Sequence, residues 1–424
     1  MAFERERRAE NGIMIYDCEN AALHSFYISL FVKAGSMYES ERDNGITHFL
    51  EHAVIRNINT LMDGGLYPLL DECGVEFNAS TYSEMVQFYV HGASKNFGLG
   101  ARIISMVLSP IVLTPLDVRT ECDRIKAEIR ENDERGSLSN FTSAIVHGST
   151  SLARPIIGTA SGVSKISAKR LEEYRRKTFT AENLFVYVTG AYSKSDLDNL
   201  AKLVGEREVL HSEPRMNIAP TSPDFGKRSG KVEVKGGDFT MMRFTFDMDM
   251  SKISVPESDL IYDLLLGGYN SRFFIEMSEK RGLFYDISGS TERYLNIGSL
   301  SFSFEVRQGS VYEAAELLLS LLSEFKSTLL PEEKMMKAGY VDNSDMLYDD
   351  PRELNFTLAY DNHILAEGYK TLKERAERYR AVTPERLRDA AKEIFRKENL
   401  TLTVKGKRKS IDTARLEEII NKFA

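Results

Sequence analysis

Residues Ile166 to Gly190 align without gaps to Val382 to Gly406 at an offset of 216, and eight of the 25 paired positions are identical, among them the run Glu-Asn-Leu before an apolar stretch. A period of this size is that of a domain, so the chain reads as a duplication and not as a solenoid. The 424 residues exceed what one ordinary core accommodates, which also points to two domains. Between the halves, positions 206–230 hold Pro214, Pro220 and Pro223 among scattered serines, glycines and charges, the composition of a linker. The expected division is a domain over 1–210, a linker over 206–230 and a homologous domain over 231–424.

Within the first half, Ile13-Met-Ile-Tyr and Ser25 to Val32 are rich in aromatic and β-branched residues and read as strands. A helix is expected over 44–56 and another from Leu61 to Cys73, followed by strands over 75–81 and 85–91. Long amphipathic helices follow across 95–149, and Leu184 to Gly190 closes the half as a strand. Each half is therefore expected to be α+β: a mostly antiparallel sheet covered by helices on one face.

The helix over 44–56 contains His48-Phe-Leu-Glu51-His52. At 3.6 residues per turn His48 and His52 lie on one face, so two imidazoles can converge on one metal ion with Glu51 beside them. With 7 His and 63 Asp+Glu in 424 residues, about 0.02 chance occurrences of this pattern are expected. The second half carries only His211 and His363, with no paired ligands. A catalytic zinc site needs a third protein ligand and an open position for water. The stretch Val118 to Glu131 reads as a helix in which Glu121 and Glu128 share a face, so one could ligate while the other steadies a ligand. Periodicity by itself favours a solvated acidic face.

On these residues the chain resembles the pitrilysin and insulin-degrading-enzyme superfamily of inverted zincins, in its half-length, mitochondrial-processing-peptidase-like bacterial branch. There H-x-x-E-H is followed by a glutamate 76 residues beyond the second histidine, matching Glu128, with a supporting glutamate seven residues earlier, matching Glu121. Phe31 to Ser36, Gly74 to Thr81, Arg154 to Thr159 and Glu279 to Tyr285 continue the likeness. Ala53-Val-Ile-Arg-Asn and Thr150-Ser-Leu-Ala153 depart from it. The resemblance implies Zn2+ held by His48, His52 and Glu128, with Glu51 as general base and Glu121 steadying a ligand. It also implies an edge strand at Asn78 and Ala79 that takes an extended peptide substrate by β-augmentation, and two domains that form half of a clamshell, closed into a chamber by a dimer.

Active members of that family supply an Arg and a Tyr, seven residues apart, from the domain opposite the metal. Tyr285 matches the tyrosine, but the arginine position holds Ser278. The implied active form is a heterodimer with a homologous chain that supplies the Arg/Tyr pair, the alternative being a homodimer in which another residue takes the arginine's place. The expected activity is a zinc metallopeptidase, with a non-catalytic scaffold or partner subunit as the other reading. A net charge of −8 argues against nucleic acid or an anionic membrane as partner. The absence of a run of 18 apolar residues argues against a membrane span. Cys18, Cys73 and Cys122 form no C-x-x-C pair and cannot make a disulfide framework, so a reducing, cytoplasmic setting is expected.

Overall fold

The computed structural model describes residues 3–134, 137–221, 225–267, 271–329 and 344–423, so Pro223 of the expected linker lies outside the described residues. Contacts divide the chain into two compact units. The first comprises Met1–Arg135, Arg154–Asn217 and Asp345–Leu372, and the second Gly136–Ala153, Ile218–Ser344 and Lys373–Ala424.

The first unit holds strands β1 (Arg5–Arg8), β2 (Met14–Glu19), β3 (Ser25–Val32), β4 (Glu76–Thr81), β5 (Val86–Ala93) and β6 (Leu184–Gly190), in the spatial order β1-β2-β6-β3-β5-β4. Only the β2–β6 pair is parallel. Phe26, Ile28, Leu30 and Val32 of β3 join a core with Phe49, Ile104, Leu171 and Leu197 from four helices. Phe31 points into a second cluster with Phe185, Tyr187, Leu354 and Leu358. Burial on both faces explains why β3 is a nearly continuous apolar run and not an alternating one.

The second unit holds β7 (Lys231–Gly236), β8 (Met241–Asp249), β9 (Ile287–Arg293), β10 (Ile297–Glu305) and β11 (Leu400–Gly406), ordered β7-β11-β8-β10-β9, and again one pair, β7–β11, is parallel. The offset of 216 carries β6 onto β11 and β3 onto 241–248 of β8, so the duplication seen in sequence is a duplication of sheet topology. Phe244, Phe246, Phe302, Leu318 and Leu402 fill this unit's core. Each half is α+β, as expected, but the first sheet is covered on both faces and not on one, because Leu354 and Leu358 of the helix Pro351–Ala359 pack on its second face.

Two segments belong to the unit that sequence order would not assign them. The helix Leu138–His147 lies with the second sheet, where Thr142 Oγ1 is 2.6 Å from Thr403 Oγ1. The helix Pro351–Ala359 lies with the first, where Asn355 Nδ2 donates to the Tyr187 carbonyl at 2.9 Å. The same offset maps His147 onto His363, and each imidazole faces a carboxylate of its own unit: Glu292 at 3.6 Å and Glu4 at 3.4 Å.

The element bounds expected around the motif shift by several residues. The motif helix spans Ile46–Leu61, and the next begins only at Leu66, because Asp63 and Gly64 take φ of 52° and 82° and turn the chain left-handed.

Candidate metal centre

The motif helix is positioned at its start by a carboxylate from outside it. Glu39 accepts from the Gly45 and Thr47 amides at 2.8 and 2.9 Å and from Asn44 Nδ2 at 3.2 Å, satisfying donors that a helix start leaves without intrahelical partners. Gly45 itself has φ of 91°, and a Cβ there would sit 2.8 Å from Gly158 Cα. Ile46, Phe49, Leu50 and Ala53 are buried against the core. That seating turns the face carrying His48 and His52 toward the helix Pro115–Glu134.

There the two imidazoles meet Glu128. His48 Nε2 lies 3.7 Å from Glu128 Oε1 and His52 Nε2 lies 3.7 Å from Glu128 Oε2, and one donor atom from each of the three residues falls within 4.8 Å of the others. Tetrahedral zinc with nitrogen and oxygen ligands at about 2.1 Å would separate its ligand atoms by about 3.4 Å, so this donor set fits the ion. Burial, followed by the neighbouring His52, pushes the His48 imidazole down to about 3, which keeps it neutral and able to ligate. Its Nδ1 is enclosed without a hydrogen bond among the described residues.

His52 has a different second nitrogen environment. Its Nδ1 lies 3.4 Å from Glu121 Oε2, and burial, which lowers its pKa, is outweighed by Glu121, Glu51 and Glu128, which raise it. Glu121 is in turn held by Arg56 Nε at 2.5 Å and Arg124 Nη1 at 3.1 Å. Arg56 also reaches Asp117 at 3.3 Å. Carboxylates behind a ligating histidine orient its ring in this way.

Glu51, 8 % exposed, receives a hydrogen bond on Oε2 from Thr81 Oγ1 at 2.5 Å. Burial raises its pKa, and Thr81 and His52 offset part of that. Thr81 ends β4, the terminal strand of the sheet, whose Asn78 and Ala79 pair, among the described residues, with Tyr89 and Phe88 on one side only. Asn78 is exposed and Ala79 buried.

Tyr285 belongs to the second unit and is 97 % exposed, next to the buried Leu283 and Phe284. Ser278 Oγ donates to the Phe284 carbonyl at 2.9 Å. The two nearby arginines are engaged: Arg272 with Glu324 at 2.5 Å and Arg281 with Glu313 at 3.9 Å.

The sequence assigns no role to Glu39 or Arg56, and places Thr81 only in the edge strand implied to bind substrate. Arg56 carried a signal, since it continues the i, i+4 series of His48 and His52 on one helix face. Thr81 and Glu39 carried none, because their partners lie across a tertiary contact or a turn.

Residues 18–160 match the profile described as insulinase (Peptidase family M16), and residues 165–338 match the one described as Peptidase M16 inactive domain. The chain belongs to the M16 peptidase family. A Mycobacterium bovis protein named "uncharacterized zinc protease" is 27 % identical over 294 residues, 66 % of this chain; the match spans 65 % of that relative's length. The crystal structure of a protease from Helicobacter pylori superposes with a TM-score of 0.82 at 16 % identity, covering 96 % of this chain and all of that one. A Pseudomonas fluorescens structure described as a peptidase M16 inactive domain gives 0.81 at 15 % identity, covering 95 % and 98 %. At such identities the two structures bear on the fold alone. This M16 chain has, among the described residues, no helix long and apolar enough to cross a membrane.

Proposed function

We propose that this M16 chain is a zinc-dependent metallopeptidase that hydrolyses peptides or unfolded segments bound in extended form, as the zinc-bearing subunit of an enclosed dimer. The observation that carries it is the convergence of His48, His52 and Glu128 with the Glu51 carboxylate beside them. Zinc bound there would supply Lewis acidity and lower the pKa of a water molecule to about 7. Thr81 holds Glu51 Oε2, and Glu51 Oε1 makes no hydrogen bond among the described residues. It is the atom that would take the proton of the attacking water and return it to the leaving amine. The unpaired side of β4 at Asn78 and Ala79 offers backbone groups to an extended substrate with little demand on its sequence.

We also propose a homologous partner chain. Ser278 stands where the family carries an arginine, Arg272 and Arg281 lie at other spacings, and Arg272 is paired with Glu324, so we infer that the carbonyl donor that Tyr285 would accompany comes from the partner. The three free cysteines favour a reducing, cytoplasmic setting. A second reading, a non-catalytic partner subunit, draws on the profile described as inactive that matches residues 165–338.

Metal analysis after purification in zinc separates the two. The peptidase reading expects one zinc per chain; less than about a tenth of an equivalent removes it. Glu51→Gln is expected to keep zinc and lose turnover of a peptide library, whereas Glu128→Gln is expected to lose zinc. Near-normal kcat in Glu51→Gln would overturn the base assignment.

A further inference from the structure

On the face of the first sheet that carries the cluster with Leu354 and Leu358, where β3 ends and β6 begins, there is a cavity of about 260 Å3. Its walls include Tyr16, Phe185, Met14 and Leu184, and two cationic side chains, Lys33 and Arg8, border it. Neither cation forms a side-chain hydrogen bond or ion pair among the described residues. Lys33 is only partly exposed, and burial alone draws its pKa down. The acid on the wall, Glu182, is already engaged by His211 Nδ1 at 2.7 Å and the Ser212 amide at 2.8 Å. His363 is stacked on Tyr16 with ring centroids 3.7 Å apart and faces Glu4, so it completes an aromatic wall.

An ammonium group that has shed part of its water without gaining a counter-charge weakens the fold unless something else supplies the anion. We propose that this cavity binds a small carboxylate with a flat apolar body, its anion set against Lys33 and Arg8 and its body against Tyr16 and Phe185. The volume is that of about nine water molecules and falls below the roughly 300–1,000 Å3 of sites for drug-sized ligands, which suits a single-ring acid. Charge-assisted hydrogen bonds to the carboxylate supply the polar half of recognition. The Tyr16 and Phe185 rings offer a flat apolar body a contact that phosphate cannot make.

The test is calorimetric titration of the full chain with benzoate, its neutral isostere benzamide, and inorganic phosphate. Saturable binding of one benzoate per chain is expected, with benzamide and phosphate at least about tenfold weaker. Lys33→Met keeps the aliphatic stem, so it is expected to leave Tm unchanged or raised while weakening benzoate at least about tenfold. Arg8→Gln is expected to weaken it less, because Arg8 is the more exposed of the two. In the unaltered protein, benzoate is expected to shift the NMR signal of the Met14 methyl group, a readout that does not depend on any variant folding. Absence of saturable benzoate binding at about 10 mM, equal binding of benzamide or phosphate, an unmoved Met14 signal, or a folded Lys33→Met with unchanged affinity would each overturn the proposal.

Discussion

The two oxygens of Glu51 have different neighbours, and that difference makes Thr81 a residue to test. Its hydroxyl holds Oε2 at 2.5 Å and leaves Oε1 to the chemistry. Thr81→Val keeps the shape but removes the donor, so Glu51 loses its anchor to β4. A misplaced catalytic group typically costs up to about 100-fold. The expected result is kcat lowered by about 10- to 100-fold with zinc content unchanged and KM little affected, and substantial recovery in Thr81→Ser. Equal loss in the serine and valine variants would show that the hydroxyl is not what matters. Glu121 and Glu128 share a face by periodicity but took their roles only from the family resemblance, whereas the two histidines and Glu51 were legible from helix periodicity alone. Thr81 was not, since its partner lies 30 residues away and the contact exists only after β4 packs beside the motif helix.

At the scale of the element, the motif helix depends on its entry. Glu39 bonds two amides at that entry, and Arg154 Nη2 donates to the Glu39 carbonyl at 2.9 Å. Glu39→Ala leaves those donors enclosed without an acceptor, at a cost of about 1–3 kcal/mol. The expected outcome is a lower urea midpoint together with weaker zinc retention in a chelator competition, because the His48 turn directly follows. A variant that loses stability but holds zinc as tightly as before would disconnect the entry from the site. The helix's register was readable from His48 and His52. Its length was not, since the break at Asp63–Gly64 requires a left-handed turn that the apolar pattern running on toward Leu66 conceals.

For the whole molecule, acid stability of the first unit is tied to Glu4. Burial raises this carboxyl's pKa, but hydrogen bonds and charge from His363, and hydrogen bonds from Tyr187 and Asn362, outweigh it and hold the folded value below the ordinary 4.5. A depressed folded pKa contributes stability that is fully present above 4.5 and is lost as pH falls through the folded value. Urea midpoints of wild type and Glu4→Gln, compared across that window, are therefore expected to differ most near neutrality and to converge in acid. A constant gap at all pH values would remove the linkage. The partner proposal is also tested at this scale. The purified chain alone is expected to turn over peptides about 10²–10³-fold more slowly than a mixture with a homologous chain carrying the Arg/Tyr pair. Full activity from the chain alone, unchanged by the partner, would sink it.

What the sequence determined by itself is what local periodicity and repetition encode. The 216-residue offset gives two homologous α+β halves, H-x-x-E-H gives two imidazoles on one helix face, and seven-residue spacing gives two carboxylates on another. Each follows from covalent spacing and backbone geometry, which act before the chain is compact. Tertiary structure decided which distant groups complete these faces: Glu128 against the imidazoles, Arg56 behind Glu121, and Thr81 on Glu51. It also decided that the helices Leu138–His147 and Pro351–Ala359 pack with the unit of the other repeat. Helical spacing does not distinguish one apolar sheet face from another of similar character, so only burial in the folded chain selects between them.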